Sequence, residues 1–251
     1  MRLARWRRAG GWGYLQGVSH VPTVRERRTA PAGRDRGYAV ANALSYVINP
    51  LVLPPIGFGV ILWHFGAPAA EVAWVVAVAL VFFCAIPLGY LVWLVRRGGA
   101  ESIEIRQREE RLRPFLAGIA SYAVGVAVLA ATGQTALPLL IALALLFPLN
   151  TALVLLVNLR FKISIHMTGL AGFVSILLFA ALLVSDGLPP REGSALRVAT
   201  VAPLLALIPL LMWARVRVGA HTPAEVAAGA AFGLVVPFVE LTVILRLLGL
   251  N

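Results

Sequence analysis

Acidic charge and cysteine are what this 251-residue chain has least of. Asp and Glu together number 11, and only two are aspartates, Asp35 and Asp186. No aspartate-rich motif for gripping a metal–diphosphate is present, which argues against a prenyltransferase. A single cysteine, Cys84, lies inside an apolar run. It permits no internal disulfide, no CxxC pair and no zinc pattern, and reads as a small buried apolar side chain. Charge of either sign is also scarce, at 13% of residues. A soluble domain of this length needs far more, and with 60% hydrophobic residues and a mean hydropathy of +0.86 the chain reads as a polytopic membrane protein.

The net charge of +11 would suggest nucleic acid in a soluble protein. Here the basic residues sit in loops between apolar runs, where anionic lipid and the positive-inside bias account for them, so no nucleic-acid partner is expected. Residues 1–42 form a basic N-terminal tail, and 43–251 the membrane domain. The tail's start is basic, but no compact apolar stretch follows before Arg25, so a cleavable signal peptide is not expected. Apolar runs follow at roughly 43–66, 72–95, 115–132, 136–158, 166–184, 196–213 and 224–248. Each approaches the ~20 residues that a helix needs to cross the hydrocarbon core. The expectation is an all-α transmembrane helix bundle of about six or seven spans. No sequence-related internal repeat of the transporter kind is visible.

Alternation of spans puts the loops at 96–114, 159–165 and 214–223 on one face, together with the tail. That face carries 19 of the Lys and Arg residues, against Arg191, Arg197 and Arg246 on the other. The positive-inside rule then places the tail and the three loops in the cytoplasm, with the C-terminus outside, in the plasma (inner) membrane.

Those three loops hold the chain's polar chemistry. The third reads Arg215-x5-His221-x3-Glu225. Histidine is a good nucleophile toward phosphorus when a carboxylate holds its other ring nitrogen, and Glu225 has the type and spacing for that task. Thr222-Pro223-Ala224-Glu225 also reads as a helix capping box, which gives Glu225 a purely structural alternative. The second stretch, Ser164-Ile165-His166, brings another imidazole, with Lys162 just before it. It reads either as an interfacial residue or as a general acid for a leaving oxygen. The first, Arg106-x6-Arg113-Pro114, reads either as a solvated mixed-charge run with a positive-inside anchor or as a pair of guanidinium groups for phosphate oxygens. Of the polar residues inside spans, Glu240 is costly there and reads either as a functional group or as a partner of Arg246, and Asn150 would hydrogen-bond a neighbouring helix or line the bundle.

Taken together, the three stretches resemble the type-2 phosphatidate phosphatase (PAP2) superfamily, whose pattern is Lys-x6-Arg-Pro, Pro-Ser-Gly-His and Ser-Arg-x5-His-x3-Asp. Arg113-Pro114, Ser164, His166, Arg215 and His221 match. Arg106 stands for the lysine, Ile163 and Ile165 for the proline and glycine, Ala214 for the serine and Glu225 for the aspartate. The resemblance covers about 101 to the end of the chain. It implies a metal- and cofactor-independent membrane phosphatase. His221 would be the nucleophile, Glu225 its orienting group and His166 the acid, while Arg106, Arg113, Ser164 and Arg215 would bind phosphate. The implied substrate is a lipid phosphate or polyprenyl diphosphate. The divergent positions leave a second expectation, a non-catalytic relative that binds anionic lipid or serves a membrane-protein partner.

Overall fold

The structure, a computed structural model, describes residues 35–100, 102, 105, 107, 109–133, 137–182 and 190–249. They are helical, with no strand among the described residues. A bilayer core offers backbone N–H and C=O groups no water, so each span must satisfy them within itself, and the helix does so.

Among the described residues, six helical stretches are long and apolar enough to cross a membrane: Ala69–Arg96, Leu112–Ala131, Leu137–Asn158, Ile165–Leu182, Val198–Arg217 and Pro223–Leu247. The described residues thus form an integral membrane bundle with six long spans. Large apolar side chains such as Leu116, Val124, Leu156 and Val243 face outward, as a bundle solvated by lipid requires. Trp93 and Trp213 are exposed near one set of span ends and Trp63 and Trp74 near the other, the positions that interfacial aromatics favour.

The expected run at 43–66 is not one span. It forms two short helices, α1 (Arg36–Val47) and α2 (Leu53–His64). Helix α1 begins within the stretch expected to be tail, capped by Asp35, whose carboxylate accepts the Tyr38 N–H at 2.8 Å. The break falls at Asn49-Pro50, where the Asn49 side chain takes the Leu51 N–H. Pro54 and Pro55 then open α2, where missing N–H groups cost nothing. Arg217 at the end of the fifth span pairs with Asp35 at the start of α1. Arg191, which precedes that span, lies over the Trp63 ring and donates to the Trp63 and Ala67 carbonyls at the end of α2. The broken pair therefore runs from the end of the bundle where the fifth span finishes to the end where it starts.

The first long span comprises α3 (Ala69–Ala79), a π-helical turn (Leu80–Ala85) and α4 (Ile86–Arg96). The wide turn lies just ahead of Pro87, which has no N–H for the preceding turn and is accommodated this way. A 3₁₀ turn (Glu109–Arg111) leads into α5 (Leu112–Ala131), followed by α6 (Leu137–Asn158) and α7 (Ile165–Leu182). The fifth span combines α8 (Val198–Val201), a 3₁₀ turn and α9 (Leu207–Arg217), and α10 (Pro223–Leu247) closes the chain.

The tightest packing in the bundle joins α7 to α10. Gly229 and Gly233 of α10, four residues apart, lie against the α7 backbone. A Cβ on Gly233 would fall 2.5 Å from the Thr168 carbonyl oxygen and 2.7 Å from the Gly172 nitrogen, and one on Gly229 would fall 2.7 Å from the Ser164 oxygen. Small residues at this spacing let two membrane helices approach backbone to backbone. The approach brings the N-termini of α7 and α10 together. Deeper in the bundle, Phe58, Phe83, Tyr122 and Phe147 form a connected aromatic cluster.

Candidate functional site

The spacing Arg215-x5-His221-x3-Glu225 is one helix stop followed by one helix start. Helix α9 ends with Gly219 at φ 69°, a left-handed residue that glycine adopts without strain. The Ala220 N–H turns back to the Arg215 carbonyl at 3.1 Å, and the Gly219 N–H to that of Val216. Thr222 then caps α10, accepting the Glu225 N–H at 3.3 Å, while the Glu225 carboxylate takes the Thr222 N–H at 3.3 Å. The reversal holds His221 between the two helix ends, above Arg215.

The capping contact and the His221 contact of Glu225 fall on the same oxygen. Its Oε2 completes the capping box and lies 2.8 Å from Nδ1 of His221, with Lys162 Nζ 3.7 Å away. Nδ1 is the donor to a carboxylate, which leaves Nε2 with its lone pair. The His221 side chain is only 4% exposed. Burial, together with the positive charges of Lys162, Arg215, Arg111 and the neighbouring His166, pushes its pKa down to about 2. At neutral pH it is an uncharged imidazole oriented by a carboxylate, the form that a nucleophile or base requires.

Ser164 is fully buried at the start of α7. Its N–H donates to the Glu225 carbonyl, and its own carbonyl accepts from Thr168. Its hydroxyl has no hydrogen-bond partner among the described residues, although buried hydroxyls nearly always have one. His166 follows two residues on, half-buried in the first turn of α7. Arg215 is 2% exposed. The structure therefore brings His221, Glu225, Ser164, Arg215 and His166 to one end of the bundle.

The first stretch is arranged differently from its sequence pattern. Arg113 is exposed on the first turn of α5, and Arg106 lies outside the described residues. The buried guanidinium is Arg111, two residues earlier. It donates to the Ile105 carbonyl, to Asn158 Oδ1 and to the Ile163 carbonyl at 3.0–3.1 Å, joining the first loop to the second. Ile105 is a β-branched residue at φ 35°, backbone strain held next to this contact. Lys162 joins the second loop to the third through the Ala220 carbonyl at 3.1 Å. Sequence reasoning passed over Arg111 as part of a solvated run, and its only signal was closeness to the span boundary. Lys162 had a stronger one, as the single lysine in a chain of arginines.

The two isoleucines at divergent positions face apolar surroundings. Ile163 packs with Phe115 and Val154, and Ile165 lines an apolar cavity below the polar cluster. Asn150 and Glu240 hydrogen-bond each other inside the bundle, so the partner of Glu240 is Asn150 and not Arg246.

No family model, curated protein or solved structure matches this chain. The reading of the site accordingly rests on its residues and their geometry.

Proposed function

We infer that the chain is a membrane phosphatase that hydrolyses a lipid phosphate or diphosphate through a phospho-histidine intermediate. The observation that carries this reading is the buried, neutral His221 held by Glu225 at 2.8 Å, with Lys162, Arg111 and Arg215 near it. In the mechanism, Nε2 of His221 attacks the terminal phosphorus, whose P–O bond to the departing lipid alcohol, or lipid monophosphate in the case of a diphosphate, breaks. His166, in its protonated form, gives its proton to the departing oxygen. The Nδ1–H donated to Glu225 offsets the charge that develops on the imidazole. Water then attacks the phospho-histidine, with His166 taking its proton, and inorganic phosphate leaves. General acid–base assistance of this kind contributes typically about 10²–10⁴-fold. The cationic groups and the unpartnered Ser164 hydroxyl bind the phosphoryl oxygens.

The test is phosphate release from phosphatidate and from a polyprenyl diphosphate by purified protein, compared with His221→Ala. Release that vanishes in the variant, with phosphate trapped on His221 after an alkaline quench, supports the reading. Wild-type protein as inert as the variant on both lipids sinks it. The basic tail and loops support a cytoplasmic position for the site in the plasma membrane. A reporter joined after Asn251 that proves cytoplasmic would overturn that orientation.

A second reading draws on the burial of His221. With its side chain 4% exposed, the attacking nitrogen has little open approach, and Arg113, the best sequence match of the first stretch, is exposed. Both features suit a non-catalytic relative that binds anionic lipid or a membrane-protein partner. That reading requires lipid binding with no phospho-histidine.

A further inference from the structure

Directly under the polar cluster lies an apolar cavity of ≈ 170 Å³. Its upper wall is Phe115, Val154 and Ile165. Ile165 sits between Ser164 and His166 in the chain. Val154 and Phe115 pack against Ile163, whose carbonyl accepts the Arg111 guanidinium. The cavity's top and the cluster therefore share a wall. On α6 the lining runs from Val154 down to Leu143, and on α7 from Ile165 down to Ile176. Each run covers eleven residue steps, or about 16 Å of helix. The space is a slot along the helix axes, roughly half as deep as the ~30 Å hydrocarbon core.

The break between α1 and α2 borders the slot. Pro50 and Leu51, at the break, line it together with Leu53 and Pro54 of α2. Gly169 lets Pro50 close against α7, since a Cβ there would lie 2.5 Å from the proline's own Cβ. The polar side chains on the walls are few. Thr168 is spent on the Ser164 carbonyl, and Asn150 donates to Glu240 and to the Leu146 carbonyl.

We propose that this slot holds the single hydrocarbon chain of an amphiphile whose anionic head lies at the His221–Lys162–Arg111–Arg215 cluster. The occupant follows from the juxtaposition of an elongated apolar slot with a cationic cluster across one shared wall. A volume of this size, drawn out over that length, takes one chain and not two. A single-chain phosphate or a prenyl phosphate therefore fits better than a two-chain lipid, and a free phosphate ion uses none of it. The inference rests on the anionic-head reading given above for the polar cluster.

The test uses a single-chain alkyl phosphonate, which is not hydrolysed, carrying a photoreactive diazirine at its terminal carbon. The protein is held in lipid nanodiscs. Labelling is expected near Leu143 and Ile176. It should be competed by dodecylphosphonate and not by methylphosphonate or inorganic phosphate. In Thr151→Phe and, independently, Ile176→Trp, it should fall by about tenfold while outward residues such as Leu116 keep their background labelling. Label confined to outward residues, or unaffected by competitor, overturns the chain site even if phosphate release persists. Equal labelling by the matching alcohol, which has no anionic head, would retain the chain site and reject the head reading. Competition by methylphosphonate as strong as by dodecylphosphonate counts against the slot and leaves the phosphate site standing.

Discussion

Glu225→Gln separates the two roles that meet on one carboxylate oxygen. A capping box accepts Gln as readily as Glu at its third position, so the reciprocal bonds with Thr222 survive the substitution. The charge does not. Oε2 now receives the imidazole Nδ1–H at 2.8 Å, the Thr222 N–H at 3.3 Å and the field of Lys162 at 3.7 Å. A hydrogen bond to a charged partner contributes about 1.5–3 kcal/mol and a neutral one about 0.5–1.5, so the net loss is about 1–2 kcal/mol. For a chain of this size each kcal/mol moves the midpoint by roughly 2–4 °C, so Tm in detergent should fall by several degrees. Catalysis should suffer far more. Replacing the orienting carboxylate of a catalytic histidine by its amide in serine proteases lowers kcat by about 10⁴, and a drop of at least ~10² in phosphate release is expected here. Glu225→Ala, which also removes the cap, should lose a further ~1 kcal/mol of stability. If Glu225→Gln kept both the wild-type midpoint and the wild-type rate, Glu225 would be a cap and nothing more, and the orienting role would be refuted.

Three further outcomes follow from the geometry. Arg111→Met should destabilise by about 3 kcal/mol, because Asn158 and the Ile105 and Ile163 carbonyls lose their donor; Arg113→Met should stay within ~0.5 kcal/mol, and reversed midpoints in a detergent melt would discredit the placement. Gly233→Leu drives a side chain into the Thr168 carbonyl and the Gly172 nitrogen and should cost about 1–3 kcal/mol, measurable as earlier unfolding in SDS titration, whereas an unchanged curve would mean that α7 and α10 do not approach as described. For His221, the folded-state pKa of about 2 lies below the unfolded value of about 6.5, so the unfolded chain binds the extra proton between them and stability is lost as pH falls below about 6.5. Thermal melts should weaken by up to about 1.4 kcal/mol per pH unit there, and His221→Gln should flatten that slope; an identical slope in the variant would show that His221 is not the titrating group.

The class of the fold was legible in composition because lipid imposes one rule on every residue of a span. Long apolar runs must become helices, and all but the first of the seven runs reappear as long helices within a few residues of their expected ends. The 43–66 run misled because hydropathy measures what a segment avoids and not whether its helix is continuous. Asn49-Pro50 breaks it locally, and Gly169 of a distant helix gives the broken corner a place to pack. At the site, the Arg-x5-His-x3-Glu spacing was readable since a helix stop, a turn and a capping box are local chemistry.

What the sequence determined by itself, then, is the six long apolar helices among its seven apolar runs, the face shared by the three polar loops, and a spacing that lets Glu225 reach His221 or cap its own helix. Each of these depends on neighbours within about one helical turn or on simple alternation. Only the tertiary structure decided that Arg111 and not Arg113 enters the cluster, that Asn150 answers Glu240, and that Ile165 lines a slot below the cluster. Those choices depend on how closely helices distant in the chain approach, and the glycines at 229 and 233 set that distance where α7 meets α10. Their consequence is visible only once both backbones are in place.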